Sequence, residues 1–173
     1  IRSEGGEAEA IQCDVTQSAP VLAMATACKD AYDRIDILHN NVGILEIGGP
    51  VDLSEDDWDK VNNVNLKSMF LTCKHVLPIM EAQGKGAIVN ISSIAGIRWL
   101  GVPYLVYNTT KAAVNHFTRM VAMEYAPKGI RANAILPGLM ETPMVEQALA
   151  DFYADGDTDE MFRKRGAQAP MGH

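Results

Sequence analysis

The sequence is poor in cysteine and in long hydrophobic runs, and each shortage excludes a class of protein. Its three cysteines, Cys13, Cys28 and Cys73, are scattered and odd in number, which argues against a disulfide framework. No apolar run reaches the ~18 residues that a membrane-spanning helix needs, and the first residues show no signal-peptide pattern. We therefore expect a reducing, cytoplasmic setting and no membrane partner.

Basic residues and metal-ligand patterns are also scarce. Fifteen lysines and arginines stand against 22 aspartates and glutamates, which gives a net charge of −7. A nucleic-acid-binding face would need a basic excess, so nucleic acid is not an expected partner. No catalytic metal is expected either, because metal-ligand spacing is absent among the four histidines, His39, His75, His116 and His173.

Strand and helix patterns alternate along the chain. Strands are predicted over 8–14, 35–41, 87–93 and 130–138, and helices over 18–34, 55–81 and 104–126, with another beginning at Thr142-Pro143. The strand over 87–93 is nearly all apolar, which is typical of a sheet covered on both faces. This order predicts a single α/β domain over residues 1–173, built on a parallel sheet.

One charged stretch has no place in the strand and helix pattern. The acidic segment 151–160 and the basic triplet 163–165 are interpreted as a solvated, mobile surface segment. A lid over a site is the alternative.

Polar or turn-forming residues follow each of the four predicted strands. They are Asp14, residues 40–43, the pair Ser92-Ser93, and the pair Pro137-Gly138. Ligands of open parallel sheets bind at the carboxyl ends of the strands. The sequence therefore predicts a ligand site at this edge.

Tyr107 and Lys111 lie four positions apart on a predicted helix and so share a face. An ammonium ~4.5 Å from a phenol, at an effective dielectric of ~20, stabilises the phenolate by roughly 3–4 kcal/mol. That would lower the phenol pKa and give a general acid/base. The alternative is a surface tyrosine beside a solvated lysine.

Two further polar residues favour the catalytic interpretation. Ser93 ends the preceding strand and would donate a hydrogen bond to a substrate oxygen beside the phenol. Asn65 lies inside a predicted helix, where asparagine is mildly unfavourable. It either faces solvent or interrupts the helical hydrogen bonds and holds a water near Lys111.

Five motifs occur in order along the chain: HNNVG (39–43), NNVNL (62–66), NISSIAG (90–96), YNTTK (107–111) and ILPGLMETPM (135–144). Together they resemble the short-chain dehydrogenase/reductase family, in its compact single-domain type, from about residue 8 to about 145. The resemblance implies a three-layer αβα Rossmann-like fold with a doubly wound parallel sheet. It also implies NAD or NADP as cofactor and hydride transfer to or from a secondary alcohol or ketone.

The resemblance assigns four catalytic residues. Tyr107 would be the acid/base, and Ser93 would hydrogen-bond the substrate oxygen, with Ser92 ranked below it. Lys111 would lower the pKa of Tyr107 and bind the nicotinamide ribose. Asn65 would hold the water of a proton relay that runs through Lys111.

The resemblance also assigns the cofactor-binding residues. Asp14 and Val15 would cap the adenine ring. The segment Asn40, Asn41, Val42 and Gly43 would line the cofactor and steady the sheet, with Asn40 on the adenosine side. Pro137 and Gly138 would leave room for the nicotinamide, and the Met140 backbone and Thr142 would bind its carboxamide. Tyr107 and Lys111 would contact the cofactor as well.

Some elements of the family are missing from this sequence. Its first two strands with the glycine-rich turn between them, and its last strand, have no counterpart. The glycine-rich turn holds the pyrophosphate, and a residue near it selects NAD or NADP. We therefore expect the chain to be part of a longer protein and to bind cofactor poorly by itself. By analogy, helices 55–81 and 104–126 would pair in a homotetramer or homodimer.

The substrate pocket is predicted to be largely apolar, walled by residues 43–49, 94–104 and 139–162, with Arg98 as the one nearby cation. An oxidoreductase of secondary alcohols or ketones is the leading interpretation. A 3-oxoacyl-carrier-protein reductase is an alternative specific activity. A non-catalytic cofactor-binding protein on the same fold is a second hypothesis, and a methyltransferase would give no reason for the four catalytic residues.

Overall fold

The computed structural model of the chain describes residues 1–146, 149 and 155–167. Its centre is a parallel sheet of β1 (Ile37–Asn40), β2 (Gly86–Ile91) and β3 (Ile130–Ile135), in the order β1-β2-β3. Ile37 pairs with Ala87, and Gly86 pairs with Ile130. The predicted α/β class with a parallel sheet is confirmed.

Helices connect the strands, as parallel pairing requires. The helix α1 (Ser18–Tyr32) precedes β1. The helices α2 (Glu55–Asn62) and α3 (Ser68–Gln83) lie between β1 and β2, α4 (Leu105–Tyr125) lies between β2 and β3, and α5 (Thr158–Gly166) follows β3. The Ser54 hydroxyl accepts a hydrogen bond from the Asp57 amide at 3.0 Å and so caps α2. The helix predicted to begin at Thr142-Pro143 starts at residue 143, and the Glu146 amide donates to the Thr142 carbonyl at 3.0 Å.

One face of the sheet carries the main core. Leu38, Ile88 and Ile130 lie on that face and pack against buried residues of α1, α3 and α4. Residues in alternate register point to the opposite face, where Ile37 is 67% exposed. Among the described residues, the helices therefore form one of the two layers expected to cover the sheet.

The strand predicted over 8–14 is wrong, because residues 6–14 form no strand and are mostly exposed. A strand is stabilised by hydrogen bonds to a neighbouring strand, and none of the three described strands pairs with this segment. Asp14 instead begins a turn, in which its carboxylate accepts a hydrogen bond from the Thr16 amide at 2.9 Å.

The surface segment predicted over 151–160 and 163–165 is exposed at most of its described positions, but it contains the helix α5, and Arg165 is buried. Asp157 accepts a hydrogen bond from the Glu160 amide at 2.9 Å and caps α5. Acidic residues occupy the first turn of α5 and basic residues the last, which suits the helix dipole. Met161 is completely buried and anchors the helix. Residues 151–154 lie outside the described part of the chain.

Candidate active site

A cavity of about 370 Å³ lies at the carboxyl ends of the strands. Its lining includes these predicted site residues: Asn41, Gly43, Ser93, Tyr107, Lys111, Pro137, Gly138, Met140 and Thr142. They come from the ends of all three strands, from α4 and from the loop after β3. Residues more than 90 positions apart in sequence thus meet where an open parallel sheet binds its ligands.

Asn65 lies in a five-residue π-helical segment, Asn63–Lys67, between α2 and α3. A π-helical turn interrupts the regular hydrogen bonds of an α-helix and is frequent at functional sites. The predicted helix over 55–81 therefore exists, but it is broken at the one buried asparagine in it. The solvent-facing alternative for Asn65 is excluded, because its side chain is fully buried. The water near Lys111 in the second interpretation stays a prediction.

The Asn65 amide fixes the loop that follows β1. Its Oδ1 accepts a hydrogen bond from the Ile44 amide at 2.8 Å, and its Nδ2 donates to the Ile44 carbonyl at 2.9 Å. Nδ2 also donates to the Thr110 hydroxyl at 3.2 Å. Both amide hydrogens are thereby used within the protein, so only Oδ1 retains capacity to bind a water. Thr110, next to Lys111 on α4, is a partner that the sequence motifs did not indicate.

Gly43 lies between Asn65 and Lys111. A Cβ atom at this position would be 3.4 Å from Asn65 Oδ1 and 3.5 Å from Lys111 Nζ. The amide oxygen and the ammonium thus border the same small space, which glycine leaves open. A water placed there would have an acceptor on one side and a donor on the other.

Ser92 and Ser93 follow β2 and have different partners. The Ser92 hydroxyl donates to the Lys111 carbonyl oxygen at 2.9 Å and ties the end of β2 to α4. The Ser93 hydroxyl accepts from the Ala95 amide at 3.1 Å, and its hydrogen bond with the Tyr107 hydroxyl opposes the rise that burial causes in the pKa of Tyr107. Ser93 is therefore the serine whose hydroxyl lies beside the phenol, in agreement with the ranking made from the sequence.

Gly96 allows Ser93 to lie beside Tyr107. It ends the short 3₁₀ turn Ile94–Gly96 that follows Ser93. A Cβ at Gly96 would lie 2.6 Å from the Lys111 carbonyl carbon and 2.7 Å from the Ala112 amide nitrogen. Only glycine lets the turn approach the α4 backbone this closely, and that approach keeps Ser93 near Tyr107.

Tyr107 is buried in the first turns of α4, with 8% of its surface exposed. Its ring packs edge-to-face on Tyr104, with 5.6 Å between the ring centroids. Burial raises the pKa of Tyr107, whereas Ser93 and the positive charge of Arg165 oppose that rise. The sequence predicted a lowered pKa caused by Lys111, so in this state of the chain burial outweighs the neighbouring charges.

Lys111 is 3% exposed, and its ammonium donates a hydrogen bond to the Ile91 carbonyl at 2.8 Å. Burial lowers the pKa of Lys111 to about 8, because the charged form loses its hydration. The ammonium also lies 5.5 Å from the centroid of the Tyr107 ring. The spacing thus predicts the shared face correctly, and the alternative of a solvated surface pair is excluded.

Asn40 belongs to a buried network in the sheet. Its Nδ2 donates to Asn90 Oδ1 at 2.9 Å, and its Oδ1 accepts from the Thr72 hydroxyl at 2.9 Å. Asn90 in turn donates to the Thr118 hydroxyl at 2.9 Å. The network joins β1, β2, α3 and α4, so Asn40 steadies the sheet as predicted. Its predicted contact with adenosine stays a prediction.

The predicted adenine cap lies away from the cavity lining. Asp14 is exposed, and its hydrogen bonds from Thr16 lower its pKa. Val15 is half-buried, and Val42 is 51% exposed. On the side predicted to face the nicotinamide, a Cβ at Gly138 would meet nothing closer than Ile94 Cδ1 at 3.9 Å, so this wall of the cavity is open.

A second cavity, of about 580 Å³, shares Gly43 and Met144 with the first. Ile44, Leu45 and Ile47 line it, as expected for an apolar substrate pocket, together with the ion pair between Lys60 and Glu46. Ile97 and Trp99, also predicted as pocket walls, are about two-thirds exposed at 67% and 66%. Phe152 lies outside the described residues.

The prediction that Arg98 is the one cation near the pocket is wrong. Arg98 is exposed, whereas Arg165 is 5% exposed and its charge acts on Tyr107. The sequence signal was available, because Arg165 follows the buried Met161 by four positions and so shares its helix face. It was missed because the triplet 163–165 was interpreted as solvated.

The described residues lack two kinds of feature. No group of three or more histidine, cysteine, aspartate or glutamate side chains there could hold a metal ion. Within the same residues, every helix is too short or too polar to cross a membrane.

Comparisons with known proteins show the family of the chain. The short chain dehydrogenase family profile matches residues 1–152. An uncharacterized oxidoreductase of Thermotoga maritima is 40% identical over 99% of this chain and 66% of its own length. A 3beta-hydroxysteroid dehydrogenase of Mediterraneibacter gnavus is 40% identical over 87% of this chain and 54% of its own length. The chain thus spans between half and two-thirds of the length of these curated relatives.

A solved structure supports the fold directly. The crystal structure of an NAD⁺-bound xylitol dehydrogenase superposes with a TM-score of 0.91 at 30% identity, over 99% of this chain and 69% of that one. The parallel sheet and the order of the helices agree with this comparison: the chain belongs to the short-chain dehydrogenases, a family of oxidoreductases with a Rossmann-like fold.

Proposed function

We propose that the protein catalyses hydride transfer between NAD or NADP and a secondary alcohol or ketone, with Tyr107 as the general acid/base. One observation carries the proposal: Ser93, Tyr107 and Lys111 are all buried and line one cavity at the carboxyl ends of the strands. The NAD⁺ in the related xylitol dehydrogenase and the hydroxysteroid activity of the bacterial relative support the cofactor and the substrate class.

The residues present fit a nicotinamide cofactor. Gly43 and Gly138 leave open walls on two sides of the cavity, and Lys111 supplies a buried donor between them. Thr142 and Met140 lie on the loop after β3, where they would hold the carboxamide. When bound, the nicotinamide ring accepts a hydride from an alcohol or supplies one to a ketone.

The protein moves the proton. In ketone reduction, Ser93 donates a hydrogen bond to the substrate oxygen and Tyr107 delivers its hydroxyl proton to that oxygen. In alcohol oxidation, the Tyr107 phenolate takes the proton back. The raised pKa of Tyr107 keeps it protonated at neutral pH, so the resting chain holds the acid that ketone reduction needs.

We propose that the phenol is reprotonated through Lys111 and a water. The ammonium and Asn65 Oδ1 border the space beside Gly43, and the π-helical segment holds Asn65 there. A water in that space would link Lys111 to solvent after Tyr107 has given up its proton. Asn65 acts here as a positioning residue.

We also propose a homodimer or homotetramer built on the outer faces of α3 and α4. Phe70 is 50% exposed, and Met120 and Met123 are 44% and 71% exposed. Apolar side chains at such exposure favour a protein partner. Sedimentation equilibrium measures the assembly, and a monomer at all concentrations would contradict it.

Two measurements test the proposed activity. Fluorescence titration with NADH and then NADPH is expected to show binding of at least one of them. Oxidation of that cofactor is then followed with cyclic and open-chain ketones. A protein that binds neither cofactor, or binds one but reduces no ketone and oxidises no secondary alcohol, would contradict the proposal.

A further inference from the structure

Arg165 is the one arginine or lysine besides Lys111 that is buried among the described residues, with 5% of its surface exposed. It lies in the last turn of α5, four positions after Met161. Met161 is fully buried in a cluster with Tyr104, Tyr107 and Leu149. Since residues four apart share a helix face, α5 presents its guanidinium toward the same part of the molecule as the catalytic phenol.

Arg165 also lines a cavity of its own, of about 400 Å³. The complete lining is Leu139, Glu141, Asp159, Phe162, Arg163, Arg165 and Gly166. Leu139 and Glu141 belong to the loop after β3, whose Gly138, Met140 and Thr142 line the reaction cavity. The two cavities are therefore neighbours across one short loop.

The charged residues around this cavity differ in their exposure to solvent. Glu141 and Asp159 are exposed, and so is Arg163, which forms an ion pair with Glu160 at 2.6 Å. Arg165 is buried beside Leu139 and the half-buried Phe162. Solvent screens the exposed charges more strongly than the buried one. The positive charge of Arg165 also opposes the rise that burial causes in the pKa of Tyr107, as expected for a buried charge in the same part of the molecule.

On these grounds, and resting on the proposed oxidoreductase function, we propose that the substrate carries a carboxylate away from its reacting carbon, and that Arg165 binds it. A guanidinium offers a planar pair of donors that matches a carboxylate. Leu139 and Phe162 supply an apolar wall for the hydrocarbon between the two ends of the substrate. Fixing the far end at Arg165 would orient the reacting carbonyl toward Tyr107 and Ser93.

The test compares two ketones of nearly the same shape, 4-oxocyclohexane-1-carboxylate and its methyl ester. Calorimetry measures the binding of each to the purified protein saturated with its cofactor. We expect the keto acid to bind at least about 10-fold more tightly than the ester, as a hydrogen-bonded charge pair allows. This comparison needs no variant, so it does not depend on how a substitution at Arg165 folds.

Variants then assign the preference to one residue. Arg165→Met is expected to abolish the preference for the keto acid, and Arg165→Lys to restore part of it. Arg163→Gln is the matched control, because it removes an exposed charge from the same helix. Circular dichroism confirms that each variant is folded.

Equal binding of the acid and the ester, no detectable binding of the acid, or a preference that survives in Arg165→Met would each overturn the assignment. A preference lost equally in Arg163→Gln would overturn it too, since Arg165 would then have no particular role. The oxidoreductase proposal is tested separately. A protein that binds the keto acid through Arg165 but never oxidises NADH or NADPH with it would contradict the proposed activity, but not the proposed binding of a carboxylate by Arg165.

Discussion

The Lys111 ammonium lies 5.5 Å from the centroid of the Tyr107 ring and donates its hydrogen bond to the carbonyl of Ile91. The two side chains share a face of α4, yet the charge sits over the ring, and burial dominates the pKa of the phenol. In this state Tyr107 is a protonated acid beside a lysine whose own pKa has fallen to about 8. The first two predictions follow from the raised pKa of Tyr107 and the lowered pKa of Lys111.

Ketone reduction is expected to lose efficiency above about pH 8. Lys111 is charged below its pKa of about 8 and neutral above it, whereas Tyr107, with a raised pKa, stays protonated throughout this range. The measurement is kcat/KM for the reduced cofactor against pH, which reports ionisations of the free enzyme. In Lys111→Arg the fall in kcat/KM should move to higher pH, because a guanidinium keeps its charge. An unchanged profile in that variant would contradict the assignment.

Lys111→Met is expected to stabilise the protein at pH 7 while removing its activity. Burial lowers the pKa of Lys111 in the folded state, so the unfolded chain binds more protons between about pH 8 and the usual lysine pKa. The cost of the buried charge is therefore fully present below pH 8 and disappears as the pH rises above that range. The gain is up to about 3 kcal/mol at pH 7, less the lost hydrogen bond to Ile91.

Urea unfolding of both proteins at pH 7 and at pH 10 checks this. The stability difference should shrink at the higher pH, where wild-type Lys111 is already neutral when folded. A variant less stable than wild type at pH 7, or a difference that is the same at both values, would refute the prediction.

Gly43→Ala is expected to slow turnover while leaving the fold intact. The added methyl would touch Asn65 Oδ1 and Lys111 Nζ at 3.4 and 3.5 Å, which are ordinary contacts. It would nevertheless fill the space where we propose the relay water. We expect kcat to fall at least about 10-fold, within what general acid–base catalysis contributes. Full activity of Gly43→Ala at an unchanged melting temperature would contradict the proposed role of the relay water.

Gly96→Ala is expected to destabilise the protein and to displace Ser93. The new Cβ would meet the α4 backbone at 2.6 Å, so the 3₁₀ turn or the helix has to move. Overpacking of this kind costs about 1–3 kcal/mol. Thermal unfolding and kcat are the measurements, with Gly49→Ala as control, where the nearest atom would lie at 3.8 Å. Equal stability of the two variants would show that the close approach has no consequence.

Local patterns identified most of the fold. The apolar run in β2 and the helical patterns over 55–81 and 104–126 depend on neighbours in sequence. Each is found with boundaries shifted by a few residues, the first helix with a π-helical break. The prediction of a strand over 8–14 failed, because a strand depends on a neighbouring strand that a local sequence pattern does not report. The helix α5 was not predicted, because its charges, which suit a helix dipole, look the same in sequence as a solvated run.

The candidate site was predictable to a similar degree. The spacing of Tyr107 and Lys111 and the position of Ser93 placed three groups in one cavity. The partners that hold them were not predictable, because Thr110, Gly96 and the Asn90 network act through distances that the sequence does not contain. The direction of the Tyr107 pKa shift also failed, since burial is a property of the folded chain.

Tyr107→Phe tests the central claim most directly. It removes one hydroxyl and keeps the ring that packs on Tyr104, so the fold and the cofactor affinity should remain. We predict that kcat for ketone reduction falls by about 10²- to 10⁴-fold, while fluorescence titration with the reduced cofactor gives the same dissociation constant as wild type. Turnover within a few-fold of wild type in this variant would contradict Tyr107 as the acid/base, and with it the mechanism proposed for the protein.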